Sequence, residues 1–239
     1  MPQQKKYKHQ KNIDKCTFCV ILTKKTNKDS IMSQNQSNYV IGNSVFILED
    51  FRSATTNEMI GALSDLVTNL EPRDEYKCTV TLKSPYDIDT KQYNVIDVFI
   101  NSNGGDITIL NTITTLLSIA KSKGAIVRTT VCGKAYSCGS ALAILGTPGF
   151  RIMYSNAYHL VHFGTQSRTA KLESEIESVT NNMKEHYANW SNLYLNNTNV
   201  TPKEIKKMMS KDTFITADKA LKLSFCDWII NEKGLIRSK

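Results

Sequence analysis

Three features of the sequence predict an α/β fold. Strand-like and helix-like segments alternate from about residue 39 onward, which favours a largely parallel sheet covered by helices. The stretch YNVIDVFIN (93–101) is almost continuously apolar, as a strand buried on both faces of such a sheet has to be. The segments between the strands carry apolar residues at three- and four-residue spacing, the period of a helix with one buried face. Crossovers joining parallel strands are then expected to be right-handed.

The elements follow in order. NYVIGNSVFILED begins as a strand, and TTNEMIGALSDLVTNL (55–70) as a helix, with Thr55 and Glu58 spaced as a capping box. Residues 71–92 are polar and contain Pro72 and Pro85; with a short strand candidate at 76–82, they read as a surface hairpin or loop insertion. After the 93–101 strand, SNGGD breaks the chain, and 106–123 returns to helical spacing with Gly124 as its stop. AIVRTTVC is the next strand, GKAYS a turn and CGSALAIL a short helix. RIMY and AYHLVHF are strands around the turn Ser155–Asn156, and a long helix is expected from about 168 to 195. Thr201 and Glu204 cap a further helix with Pro202 at its first position; a small helix (216–223) then leads into the closing strand FCDWII.

Charge and cysteine usage narrow the function classes. Of the net charge of +8, the first thirty residues supply eight lysines and two aspartates, so the remainder is nearly balanced. Residues 1–38 therefore read as a basic, disordered tail, and 39–239 as one domain. Nucleic acid is not the expected partner. The six cysteines are scattered in apolar surroundings, as reduced, buried thiols are. Cys16 and Cys19 form a CxxC with no second pair at zinc spacing, so neither a metal nor another cofactor is expected. No apolar run reaches the length of a membrane span, and the start lacks the apolar core of a signal peptide.

Two glycine-rich turns follow strands: INSNGGD (100–106) and CGKAYSCGS (132–140). In an open α/β sheet, sites gather where strand ends feed helix starts. Gly104–Gly105 fits a tight turn, a weak phosphate loop, or a source of backbone N–H groups for an oxyanion. Ser137 fits a strand–turn–helix nucleophile or a plain helix N-cap. As a nucleophile it needs a base, and the base an orienting carboxylate. His9 lies in the tail and His186 on the long helix. His159 and His162 share a strand at odd separation, so they point to opposite faces and at most one can meet Ser137. Either also fits a packed core histidine.

The run FINSNGGD…VCGKAYSCGSALAILGTPGFRIMYSNAYHLVH…SKDTFITADKALKLSFCDWI resembles the proteolytic subunit of the Clp protease, a self-compartmentalising serine peptidase, over about residues 42–230 outside the insertion. The resemblance implies the ClpP/crotonase-like fold of repeated β-β-α units with a long protruding helix. It implies Ser137 as nucleophile, His162 as base 25 positions downstream, and Asp212 as the carboxylate that holds the imidazole's tautomer. Gly105 and Cys138 match the oxyanion-hole positions, through their backbone N–H groups, while Asp218 and Asp227 are read as structural. A serine endopeptidase acting on unfolded polypeptide inside a homo-oligomeric ring follows, cytoplasmic and without a cofactor. An ATP-dependent unfoldase or, for a phage-encoded relative, capsid and scaffold proteins are the partners implied. The competing readings are an inactive structural subunit of such a ring and a crotonase-fold acyl-CoA hydratase or isomerase.

Overall fold

The computed structural model describes residues 38–76, 82–164 and 172–237. The expected tail up to residue 37, Cys16, Cys19 and Cys78, most of the strand candidate at 76–82, and residues 165–171 lie outside the described residues.

Among the described residues, nine strands form a mixed sheet that six helices cover, the α/β arrangement the sequence predicts. The first expected strand is in fact a hairpin, β1 (Asn38–Ile41) and β2 (Ser44–Ile47), paired antiparallel. Then come α1 (Ser53–Thr68), β3 (Val95–Ser102), α2 (Ile107–Ser122), β4 (Ile126–Tyr136) and α3 (Cys138–Ile144). They are followed by β5 (Arg151–Tyr154), β6 (Tyr158–Val161), α4 (Glu173–Asn197), α5 (Pro202–Met209), β7 (Thr213–Thr216), α6 (Ala217–Lys222), β8 (Trp228–Asn231) and β9 (Gly234–Arg237). The main sheet runs β1-β2-β3-β4-β5-β8-β9, parallel from β2 through β8. Helix α1 starts two residues before Thr55, at an N-cap, Arg52, that makes no side-chain cap. The Thr201–Glu204 capping box forms as expected, with Glu204 N–H donating to Thr201 Oγ1 and Thr201 N–H to Glu204 Oε2.

The apolar residues of α2 at helical spacing, Ile109, Leu110, Ile113, Leu117 and Ala120, all enter the core. They meet Met59, Leu63 and Val67 of α1 and the strand residues Val45, Ile47, Val98 and Ile100. Burying each of the larger side chains is worth about 1.5–3 kcal/mol, so this layer fixes the frame on which the strand ends are displayed. Across β3 and β4, Arg128 grips Asp97 with two nitrogens, donates to the Pro85 carbonyl at 3.0 Å and stacks on Tyr86. That grip seats the described part of the insertion against the sheet.

One departure shapes everything downstream. Of GKAYS, expected as a turn, the residues GKAY end an 11-residue strand and only Ser137 lies beyond it. The first half of β4 pairs with β5 (Thr129↔Arg151) and the second with β6 (Lys134↔Tyr158), so the strand forks. On its other side the register slips between Ile100↔Val131 and Ser102↔Ala135. Gly133 sits in the slip because a Cβ there would lie 2.8 Å from Asn101 Oδ1, which accepts the Lys134 N–H. Strand β6 then pairs antiparallel with β7, completing a three-stranded branch, β4-β6-β7. TFIT (213–216), where the sequence predicts no strand, is that last strand.

His159 of β6 is fully buried, and burial pushes its pKa from 6.5 down to about 3, with Arg151 adding to the effect. Between those values the unfolded chain binds a proton that the folded chain refuses. Stability therefore falls with falling pH below 6.5, at up to about 1.4 kcal/mol per unit. Urea midpoints measured from pH 6.5 to 4.5 should drop less steeply in His159→Phe than in the wild type; equal slopes would contradict this assignment. Among the described residues, no helix is long and apolar enough to cross a membrane.

Candidate active site

The branch brings three sequence-predicted residues to one end. Strands β4 and β6 run parallel, so Ser137 and His162 both follow C-terminal strand ends. Strand β7 runs the other way, and its register with β6 (Val161↔Thr213) places Asp212 opposite His162. The Asp212 carboxylate accepts a hydrogen bond from His162 Nδ1 at 2.9 Å. In this tautomer Nε2 holds a lone pair, and it makes no hydrogen bond among the described residues, Ser137 included. The His162 carbonyl accepts the Trp190 indole N–H at 3.0 Å, which ties the histidine's backbone to α4. His159, the other candidate on this strand, points into the core, as the odd spacing requires.

Ser137 is the N-cap of α3, but its side chain caps nothing. Its backbone has φ +52° and ψ −118°, a region an L-residue occupies at a cost of about 1–3 kcal/mol. Its N–H donates to Leu160 O at 2.9 Å, tying the serine to the end of β6 just before His162. The N-cap reading thus explains its position but not its conformation.

The glycine pair is more than a turn. A Cβ on Gly104 would lie 2.5 Å from Tyr136 O and 2.8 Å from Ser137 Cβ; one on Gly105 would lie 2.5 Å from Phe51 O. The pair is therefore clamped between two backbones, with Phe51 N–H donating to Gly104 O and Asp106 N–H to Phe51 O. The Cys138 thiol adds a third clamp, donating to Gly105 O at 3.1 Å. The N–H groups of Gly105 and Cys138 have no acceptor on another residue among the described residues. Burial raises the Cys138 thiol to about 11, which keeps it protonated and removes it as a rival nucleophile.

Asp227 is engaged elsewhere: its carboxylate accepts from Arg151 Nε, Arg151 Nη2 and the N–H groups of Gly149 and Arg151. Asp218 lies in the first turn of α6. Neither competes for His162.

The sequence profile of the Clp protease family matches residues 88–233, more than half of the chain. The chain belongs to the Clp protease family. Among the Clp family members it is similar to, the ATP-dependent Clp protease proteolytic subunit 2 of Streptomyces coelicolor is 27% identical over 143 residues, 60% of this chain and 64% of that protein. The ATP-dependent Clp protease proteolytic subunit of Streptococcus uberis is 29% identical over 143 residues, 59% of this chain and 70% of the relative. Subunit 4 of Streptomyces avermitilis is 27% identical, and 62% of its length is covered. The chain thus spans somewhat less than two thirds of the length of two of these Clp subunits.

Sequence reasoning missed the supports of the site: the Phe51 backbone, the Trp190 indole and the Cys138 thiol. Only the last had a signal, its place directly after Ser137.

Gly105→Ala should be damaging, since the new Cβ has only backbone to push against. If the Gly105 N–H binds an oxyanion, kcat on a peptide ester should fall about 10²–10³-fold. A variant within threefold of wild type would show that the backbone at Gly105 takes a Cβ without displacing its N–H.

Proposed function

We propose that this chain is a serine endopeptidase that uses Ser137 as nucleophile, His162 as base and Asp212 as the group orienting the imidazole. The observation that carries the reading is the 2.9 Å His162–Asp212 hydrogen bond at the strand end next to the strained Ser137. Ser137 Oγ attacks the peptide carbonyl, and His162 Nε2 takes the hydroxyl proton. The carbonyl oxygen, now an anion, is received by the Gly105 and Cys138 N–H groups. His162 then protonates the leaving amine, the acyl group stays on Ser137, and water repeats the sequence to release it. Both donors are backbone groups held by bonds that do not involve substrate, so they need no rearrangement when charge develops.

The substrate class under this reading is unfolded polypeptide, and the working form a ring of copies of this chain supplied by an ATP-dependent unfoldase. The relatives' identity as ATP-dependent Clp protease proteolytic subunits supports the last element.

A fluorophosphonate probe, followed by mass spectrometry of the labelled peptide, tests the chemistry. Labelling at Ser137 that disappears in His162→Ala is the expected result. No labelling of the folded wild type, or labelling that persists in His162→Ala, would overturn it. Light scattering tests the ring: a strictly monomeric chain would remove that part.

A further inference from the structure

We infer that Ser140 and His159 form a positioning pair that holds the nucleophile segment against the base strand. The inference rests on the preceding reading of Ser137 and His162 as nucleophile and base. Ser140 Oγ and His159 Nδ1 are 3.0 Å apart, and both residues are completely buried. Ser140 lies three residues after Ser137, in the first turn of α3; His159 lies three residues before His162, in β6. The bond therefore joins the two elements that carry the reacting groups, one step inside the core from them. The backbone link from Ser137 N–H to Leu160 O also joins the nucleophile segment to β6, beside the β4–β6 ladder at Ala135↔His159 and Tyr136↔Leu160. Together they fix both translation and tilt of α3 relative to β6.

Stability alone does not account for a polar pair here. Its surroundings are aromatic: the Phe225 ring lies 5.3 Å from the His159 ring and 5.8 Å from that of Tyr194. Two polar atoms of the same pocket, His159 Nε2 and the Tyr194 hydroxyl, are buried without a hydrogen-bond partner. The Tyr194 hydroxyl feels Ser140 nearby without reaching hydrogen-bond geometry. An apolar pair of similar volume would remove the cost at His159 Nε2. What it would lack is direction. Apolar contacts tolerate a slide of a few tenths of an ångström, whereas a buried hydrogen bond sets both distance and angle. A slide of α3 along β6 alters the gap between Ser137 and His162 directly.

The chemistry of the pair suits a fixed spacer. Burial keeps His159 neutral, so its ring holds one N–H and one lone pair throughout the range in which His162 would cycle its proton. The protonated nitrogen is assigned to Nδ1, donating to Ser140 Oγ, because an orphaned lone pair on Nε2 is less costly than an orphaned N–H. Facing this ring from the neighbouring elements are Ser140, Tyr194 and the Arg151 charge, and the last of these disfavours protonation further.

The test measures the second-order rate of fluorophosphonate labelling at Ser137 in the full chain, alongside thermal midpoints. Ser140→Ala is expected to slow labelling at least about tenfold, on the scale of small misplacements of reacting groups. The double variant Ser140→Ala/His159→Leu should melt no lower than Ser140→Ala, since neither polar partner is then stranded, yet label as slowly. His159→Asn, whose amide matches the Nδ1 position, should recover at least half of the logarithmic loss. Labelling of the double variant at the wild-type rate overturns the positioning role and leaves the serine peptidase standing. So does a double variant that melts below both single variants, or a His159→Asn variant as slow as His159→Leu. Absence of labelling in the wild type overturns the peptidase reading and the pair with it.

Discussion

Asp227→Ala is expected to cost about 3–5 kcal/mol of unfolding free energy, the loss typical of breaking a buried ion pair from one side. Arg151 is 8% exposed and its Nη2 lies 2.6 Å from Asp227 Oδ1. The same guanidinium donates to the Asn197 carbonyl at the end of α4, at 2.7 Å, while Asp227 Oδ2 collects the Gly149 and Arg151 N–H groups. One ion pair thus joins the start of β5, the approach to β8 and the last turn of the longest helix. Without the carboxylate, a guanidinium and two N–H groups are left in the interior. Its positive charge also faces Lys121, whose pKa burial and Arg151 already lower. Urea denaturation near neutral pH measures the loss. Arg151→Met/Asp227→Ala should recover a large part of it, because an apolar replacement strands no charge. A single-variant loss below about 1 kcal/mol would show the pair to be energetically idle, as exposed pairs are.

His162→Ala is expected to lower kcat/KM on a peptide substrate by about 10⁴-fold or more, given the proposed mechanism. Asp212→Asn should cost less. Its side chain is 65% exposed, against 28% for His162, so water can take over part of its hydrogen bond to Nδ1. An amide at this position can present either its oxygen or its NH2 group to the ring, which dilutes the tautomer with the lone pair on Nε2. Steady-state kinetics and the labelling rate of Ser137 should fall together in both variants. Asp227→Asn, where it remains folded, should label normally. A reversed order, with Asp227→Asn silent and Asp212→Asn active, would reassign the carboxylate.

Much of this was legible in the sequence because short-range rules apply. The buried face of α2 followed from helical spacing, and the opposed directions of His159 and His162 followed from the alternation of side chains along a strand. The Thr201–Glu204 box gave one helix start correctly. Thr55 and Glu58 gave another two residues late, because the bridge of Phe51 to Gly105 sets that start without a side-chain cap. GKAYS was misread because glycine and lysine are rare inside strands. Here glycine is present so that Asn101 can approach, a requirement from another strand that no local pattern reveals. TFIT was too short to stand out from the helix after it. Arg151 and Asp227 are 76 residues apart and carried no mutual signal.

The 2.9 Å bond between His162 and Asp212 also closes a 50-residue excursion of the chain. That excursion leaves β6 and travels through α4 and α5 before β7 returns it to the same spot. The N-cap and first half of α4 lean on little: Leu172 at the cap is 63% exposed and Ile176 is 54% exposed. Its second half is anchored by Trp190, which is almost fully buried. The cost of closing a loop grows only slowly with length, by about 0.6 kcal/mol per doubling. The exposed part of α4 ahead of Tyr187, whose ring lies 5.0 Å from that of Phe163, is therefore a cartridge that can change at small entropic cost while the two ends still meet at the histidine and the aspartate.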